Sequence, residues 1–104
     1  MEFDINKFKA HKSLLWTKRV APALEALDLI CGDRADEYGD AGENFKRIAQ
    51  RWTERLKTPV SPIDVAVMMI DLKLSRLMHE FKRDSVIDII GYACLLCELY
   101  ADEN

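Results

Sequence analysis

Residues 61–101, SPIDVAVMMIDLKLSRLMHEFKRDSVIDIIGYACLLCELYA, decide the fold. The stretch opens on Ser61-Pro62-Ile63-Asp64, which combines an N-cap hydroxyl, a proline at the first helical position and an acid in the first turn. This start predicts a helix running to about His79. Its middle, Val65 to Ile70, is apolar all round, which predicts the central and most buried helix of the protein. A short link near Phe81–Arg83 then leads into a second apolar helix over about 84–101. So short a connection makes the two helices antiparallel neighbours.

Charged residues interrupt this hairpin in a pattern. Asp84, Asp88 and Tyr92 fall at i, i+4 and i+8, one above another on a helix face. Lys73 and Arg76 are i, i+3 neighbours on the preceding helix. Acids facing bases across a hairpin can hold a divalent metal and a polyphosphate, or they can lock the hairpin with salt bridges. Asp88 is the most telling, because it sits within Val86-Ile87-Asp88-Ile89-Ile90, where a carboxylate is costly to bury without a partner. Its structural alternative is an ion pair with Arg83 or with a neighbouring helix. For Asp84 the alternative is an N-cap. For Lys73 and Arg76 it is pairing with Asp71, Glu80 or Asp88; the functional reading is phosphate contact, which suits the fork of Arg and the point charge of Lys.

Working back along the chain, the rest reads as helical too. Four glycines and three prolines fall between periodic segments, and no stretch alternates like a strand for long. Pro22 opens a helix with Leu24, Leu27, Ile30 and Cys31 on one face, ended by Gly32. Residues 32–42, GDRADEYGDAG, are polar and hold three of the glycines. Asp40 and Glu43 have capping-box spacing, and the helix that follows, about 41–56, turns Phe45, Ile48, Ala49, Trp52 and Leu56 inward. Residues 4–19 form a weakly amphipathic helix. The expected architecture is all-α: a four-helix bundle over 21–104 with an additional N-terminal helix or arm over 1–20.

Bulk composition narrows the function. A chain of 104 residues is one domain with a modest core. Its net charge of −3 gives no case for direct nucleic-acid binding. No apolar run spans a membrane and the N-terminus lacks the order of a signal peptide, so a cytoplasmic location is expected. The three cysteines, Cys31, Cys94 and Cys97, make no disulfide framework; Cys94 and Cys97 read as small buried hydrophobes. The apolar content of the two central helices, with Trp16 and Trp52, exceeds what a thin bundle can bury and predicts a homodimer or larger assembly.

The ordered residues Arg34, Tyr38-Gly39-Asp40, Glu43-Asn44-Phe45, Ile48-Ala49, Trp52, then Asp64-Val65-Ala66, Met69, Lys73, Arg76, and finally Asp84, Asp88 and Gly91-Tyr92-Ala93 carry a resemblance over about residues 22–100. The chain resembles an uncharacterised family of phage and prophage proteins. These are similar in turn to the MazG-like, all-α nucleoside triphosphate pyrophosphohydrolase superfamily and its nucleotide-modification-associated group. The resemblance implies a four-helix MazG-like bundle that dimerises, binds Mg²⁺ through acidic motifs on neighbouring helices and cleaves an NTP to NMP and pyrophosphate. It implies Asp84 and Asp88 as catalytic residues, with Glu43 beside them as metal ligands. Lys73, Arg76, Arg34, Tyr38, Asn44 and Tyr92 would bind the nucleotide, with the segment Arg34–Asn44 closing the pocket. The chain departs from the superfamily pattern at two points. Ser85 stands where the Glu of a Glu-x-x-Asp motif belongs, and no Glu-Glu-x-x-Glu occurs in 41–56. Two further functions are compatible with these residues: non-catalytic nucleotide binding or sequestration, and binding of a host protein in counter-defence.

Overall fold

A computed structural model describes residue 6 and residues 16–32, 36–37 and 39–103. Among these no strand occurs, so the all-helical expectation holds. A π-helical turn, Trp16–Val20, runs into α1, Ala21–Cys31. It is followed by α2, Ala41–Leu56, α3, Pro62–His79, and α4, Arg83–Glu103. The N-terminal helix expected over 4–19 lies almost wholly outside the described residues. Its last turn enters α1 without a break, since Val20 has right-handed helical dihedrals of −91° and −42°.

Local chemistry fixes the helix ends. Ser61 Oγ accepts from Asp64 N at 3.0 Å and the Asp64 carboxylate accepts from Ser61 N at 3.0 Å, a reciprocal capping box with Pro62 beside it. Asp40 caps α2 by accepting from Glu43 N at 2.9 Å, and Lys57 ends it in the left-handed region at φ 58°. Thr53 Oγ1 donates to Val60 O and accepts from Val60 N, which straps the α2–α3 loop to α2. Because the Ser61 hydroxyl satisfies an orphan amide of the first helical turn, Ser61→Ala is expected to cost about 1 kcal/mol. A thermal melt that does not move would show the cap to be redundant.

The core forms where α2, α3 and α4 meet: Phe45 and Ala49, Val65 and Ala66, Leu95 and Leu99 are buried together, with Trp52, Ile48 and Tyr92 packed against them. α3 and α4 are the antiparallel hairpin at the centre, joined by the link 80–82. α1 lies along α4. Ala26 of α1 is fully buried, and a methyl group added at buried Gly91 would make an ordinary contact with Ile30 at 3.6 Å, which puts these two helices side by side. The exposed ion pair Arg83–Glu25 ties the start of α4 to α1.

Four expectations of inward packing are corrected. Leu56 is exposed, because α2 ends there and outruns its neighbours. Leu27 and Cys31 are exposed on α1, where Ala26 rather than Leu27 takes the inner position. Cys94 and Cys97 are exposed rather than buried. α3 is not buried all round: Val65 and Ala66 are sealed, but Val67, Met68, Leu72 and Leu74 face outward and Met78 is 90% exposed. A helix with one packed face must present its opposite face to solvent or to a partner, whatever residues occupy it.

Candidate functional site

The site follows from the core stripes of the two central helices. On α3, Val65 and Met69 pack on the core, and Lys73 is the next position at i+4. On α4, Ser85, Asp88, Tyr92, Leu95 and Leu99 follow one another at helical spacing, and Leu95 and Leu99 are buried. Polar residues therefore occupy inward positions at the same end of the hairpin, near its link. Lys73 Nζ and Asp88 Oδ2 meet there at 2.9 Å, with side chains only 14% and 29% exposed. This is an interhelical pair with most of both side chains withdrawn from water, unlike the exposed Lys82–Glu80 pair nearby at 3.5 Å.

In front of the pair opens a cleft of about 440 Å³. Lys73, Arg76 and His79 of α3 form one wall, and Asp84, Ser85 and Asp88 of α4 form the other. Glu80 and Lys82 of the link complete it. Arg76 forms no ion pair among the described residues, and its guanidinium is exposed to the cleft. Asp84 is the second residue of α4, not its N-cap, and its exposed carboxylate accepts no hydrogen bond among the described residues. Ser85 is 95% buried, at 5% exposure, and its hydroxyl has no partner among the described residues. No described polar side-chain atom is both sealed from solvent and unpaired, so the Ser85 hydroxyl has an opening, and the opening it lines is the cleft.

Tyr92 lies one turn beneath Asp88, half-buried, its ring 5.6 Å from that of Phe45. Burial pushes its phenol above the ordinary tyrosine value, and the Asp88 carboxylate pushes the same way; Lys73 and Arg76 pull against them. A folded-state value raised above the unfolded one favours the neutral phenol. Its stabilisation is therefore complete below about pH 10 and is lost as the pH rises through the folded value. Tyr92→Phe is expected to flatten the loss of stability above about pH 10, read from melting temperatures across an alkaline series. An unchanged alkaline limb would rule out this contribution.

The structure separates other residues from this cleft. Glu43 pairs with Lys46 at 3.1 Å in the first turn of α2, and Lys46 also reaches Asp102 at 3.8 Å. A Cβ on neighbouring Gly42 would lie 3.3 Å from the Glu98 carboxylate. The start of α2 thus sits against residues ten to fourteen positions beyond Asp88 on α4, about 15 Å or more along its axis. Glu43 is not brought beside Asp84 and Asp88, and Asn44, exposed in the same turn, is not brought to the cleft. The reason is direction: α2 begins at the far end of α4 from the hairpin link. Arg34 and Tyr38 lie outside the described residues, as does Ala35 between them in the closing segment. Among the described residues no group of three His, Cys, Asp or Glu side chains is placed to hold a metal ion.

Four residues of the cleft are not among the site residues to which the sequence points: His79, Glu80, Lys82 and Ser85. His79 continues the i, i+3 series of Lys73 and Arg76, a signal present in the sequence. Ser85 stands three residues before Asp88 on an otherwise apolar stripe. Glu80 and Lys82 are placed by the link and have no periodic signal.

Comparison with known proteins bears on the family. The chain is 44% identical over 81 residues to the Gene 55 protein of Mycobacterium phage L5, covering 76% of this chain and 52% of that protein. It is 40% identical over 79 residues to the Gene 55 protein of Mycobacterium phage D29, covering 75% of this chain and 52% of that one. The chain thus spans about half the length of the curated relatives it matches. No solved structure matches it significantly. The model of a domain of unknown function, DUF6378, matches residues 24–100, a span containing the core, all of the hairpin but the last three residues of α4, and every residue of the cleft, and the chain therefore belongs to that family, which has members in phages.

Proposed function

We propose that this chain is a phage-type, MazG-like helical protein that binds a nucleotide in the cleft at the link end of the α3–α4 hairpin. The observation that carries this reading is the unpaired Arg76 guanidinium beside the fixed Lys73–Asp88 pair, in a cleft of about 440 Å³. Binding sites of this kind combine a concave wall with a few convergent polar groups. Arg76 supplies a planar fork for phosphate oxygens. The Lys73–Asp88 pair holds both helices in register behind it.

The donor set fits Mg²⁺ poorly. Mg²⁺ takes oxygen ligands and usually one or two carboxylates plus substrate phosphates. Asp88 is already engaged by Lys73 and Glu80 by Lys82, Glu43 is elsewhere, and Asp84 alone of the cleft carboxylates has no ion pair among the described residues. Nucleotide binding is the activity this site supports best. Incubating the protein with a nucleotide panel, with and without Mg²⁺, tests both parts. A rise in melting temperature with a nucleotide supports binding. Pyrophosphate release would add NTP hydrolysis, and no shift with any nucleotide would remove the proposal.

The exposed apolar residues favour an assembly as part of the same reading. Val67, Leu74 and Met78 share the outer face of α3, Met68 and Leu72 flank it, and Phe81 in the link is 71% exposed. Exposed apolar side chains gathered on one helix face, here around Asp71, mark an interaction face. We assign it to a second copy of the chain, in a homodimer; a host protein on the same face is the competing reading, and oligomeric mass separates the two.

A further inference from the structure

The misfit between the cleft and a carboxylate-held metal has a positive counterpart. α4 is a 21-residue helix whose start lies in the cleft wall. Its first amides have no preceding turn to bond, and its dipole places partial positive charge there. Ser85 N is satisfied by Lys82 O at 3.1 Å, which leaves the amides of Arg83 and Asp84 at the helix start. The hydroxyl of buried Ser85, with no partner among the described residues, opens onto the same space. Across the cleft stands Arg76, with no carboxylate of its own. Donors thus converge from both walls: a hydroxyl, helix-start amides and a guanidinium fork. These donors are those of an oxyanion seat; of the carboxylates lining the same cleft, Asp88 is held by Lys73 and Glu80 by Lys82, and Asp84 stands beside the seat.

We infer that the α4 N-terminus, Ser85 and Arg76 seat a phosphate group of the ligand directly on protein donors, without a divalent ion between them. The inference rests on the nucleotide-binding reading for the identity of the ligand, but not for the seat itself. Serine at position 85 is central. A glutamate there would put a second carboxylate beside Asp84 and close the seat to anions, whereas serine donates to one. Asp84 opposes the bound phosphate through its own negative charge, so removing that charge strengthens binding. A carboxylate that held a metal for the ligand would give the opposite sign.

The experiment is isothermal titration calorimetry of the full chain with inorganic phosphate and with a panel of nucleoside mono- and triphosphates, each in EDTA and in Mg²⁺. The expected result is nucleotide binding that survives EDTA. Arg76→Ala is expected to weaken it roughly tenfold or more and Ser85→Ala roughly threefold. Ser85→Glu is expected to abolish it, and the exposed Asp84→Asn to tighten it several-fold. Asp84→Asn alters no packed side chain, so its sign is readable even if the Ser85 variants fail to fold. Phosphate binding with this same pattern, but no nucleotide binding, supports the seat and removes the nucleotide reading. Binding that requires Mg²⁺ and is lost in Asp84→Asn overturns the direct seat and leaves the nucleotide reading standing. Absence of all binding overturns both.

Discussion

Replacing Lys73 by methionine is expected to lower stability by about 2–3 kcal/mol, more than any exposed charge substitution in this protein. The methylene stem of Lys73 is largely covered between α3 and α4, and methionine preserves most of that packing. What is lost is the partner of Asp88, whose side chain is 29% exposed and continues the inward stripe of Tyr92, Leu95 and Leu99 on α4. Water reaches it through the cleft, which places the cost below that of a fully enclosed charge. The isosteric Asp88→Asn removes the charge rather than stranding it, and is expected to cost less than Lys73→Met. The double variant Lys73→Met, Asp88→Leu removes both and is expected to regain most of the loss, because an apolar pair suits this interface. Denaturant unfolding of the two single variants and the double provides the cycle. Additive losses would show that the two groups do not depend on one another.

That pair was legible in the sequence for a physical reason. A charged residue on an apolar stripe must find a partner or be exposed, and two such residues stand nearly level across the link: Lys73 six residues before the end of α3, Asp88 five after the start of α4. The helix starts were legible too, because Ser61-Pro62 and Asp40 satisfy orphan amides through local chemistry that no distant contact alters. The depth of burial was not legible. Periodicity says which residues share a face, but Leu56, Leu27 and Cys94 are exposed because their neighbours end, approach or angle away, and those are tertiary facts. The grouping of Glu43 and Asn44 with Asp84 and Asp88 failed on direction: motif order along the chain carries no information on which end of α4 the start of α2 will meet. In the sequence Ser85 shows only as a departure from Glu-x-x-Asp, because a serine near a helix start otherwise reads as ordinary capping chemistry. Its weight comes from being buried without a partner, which only the packed structure displays.

Introducing glutamate at both Leu74 and Met78 is expected to convert the protein from a dimer to a monomer while leaving each chain folded. Leu74 and Met78 stand one turn apart on the outer face of α3, and neither contributes to the buried core. Both substitutions keep good helix formers, so the isolated chain should lose little. In a dimer the same positions would be enclosed. Two like charges facing their own copies across a symmetric contact would each lose water without gaining a partner, a cost exceeding what an interface of ordinary size can absorb. Sedimentation equilibrium at micromolar concentration should give about twice the chain mass for the unchanged protein and the chain mass for the variant. The unchanged protein should also melt at a temperature that rises with its concentration, and the variant should not. Equal masses for the two proteins would assign the exposed α3 face to something other than a second copy. A monomeric unchanged protein would move that face to the host-protein reading, where the same pair of substitutions becomes the test of partner binding.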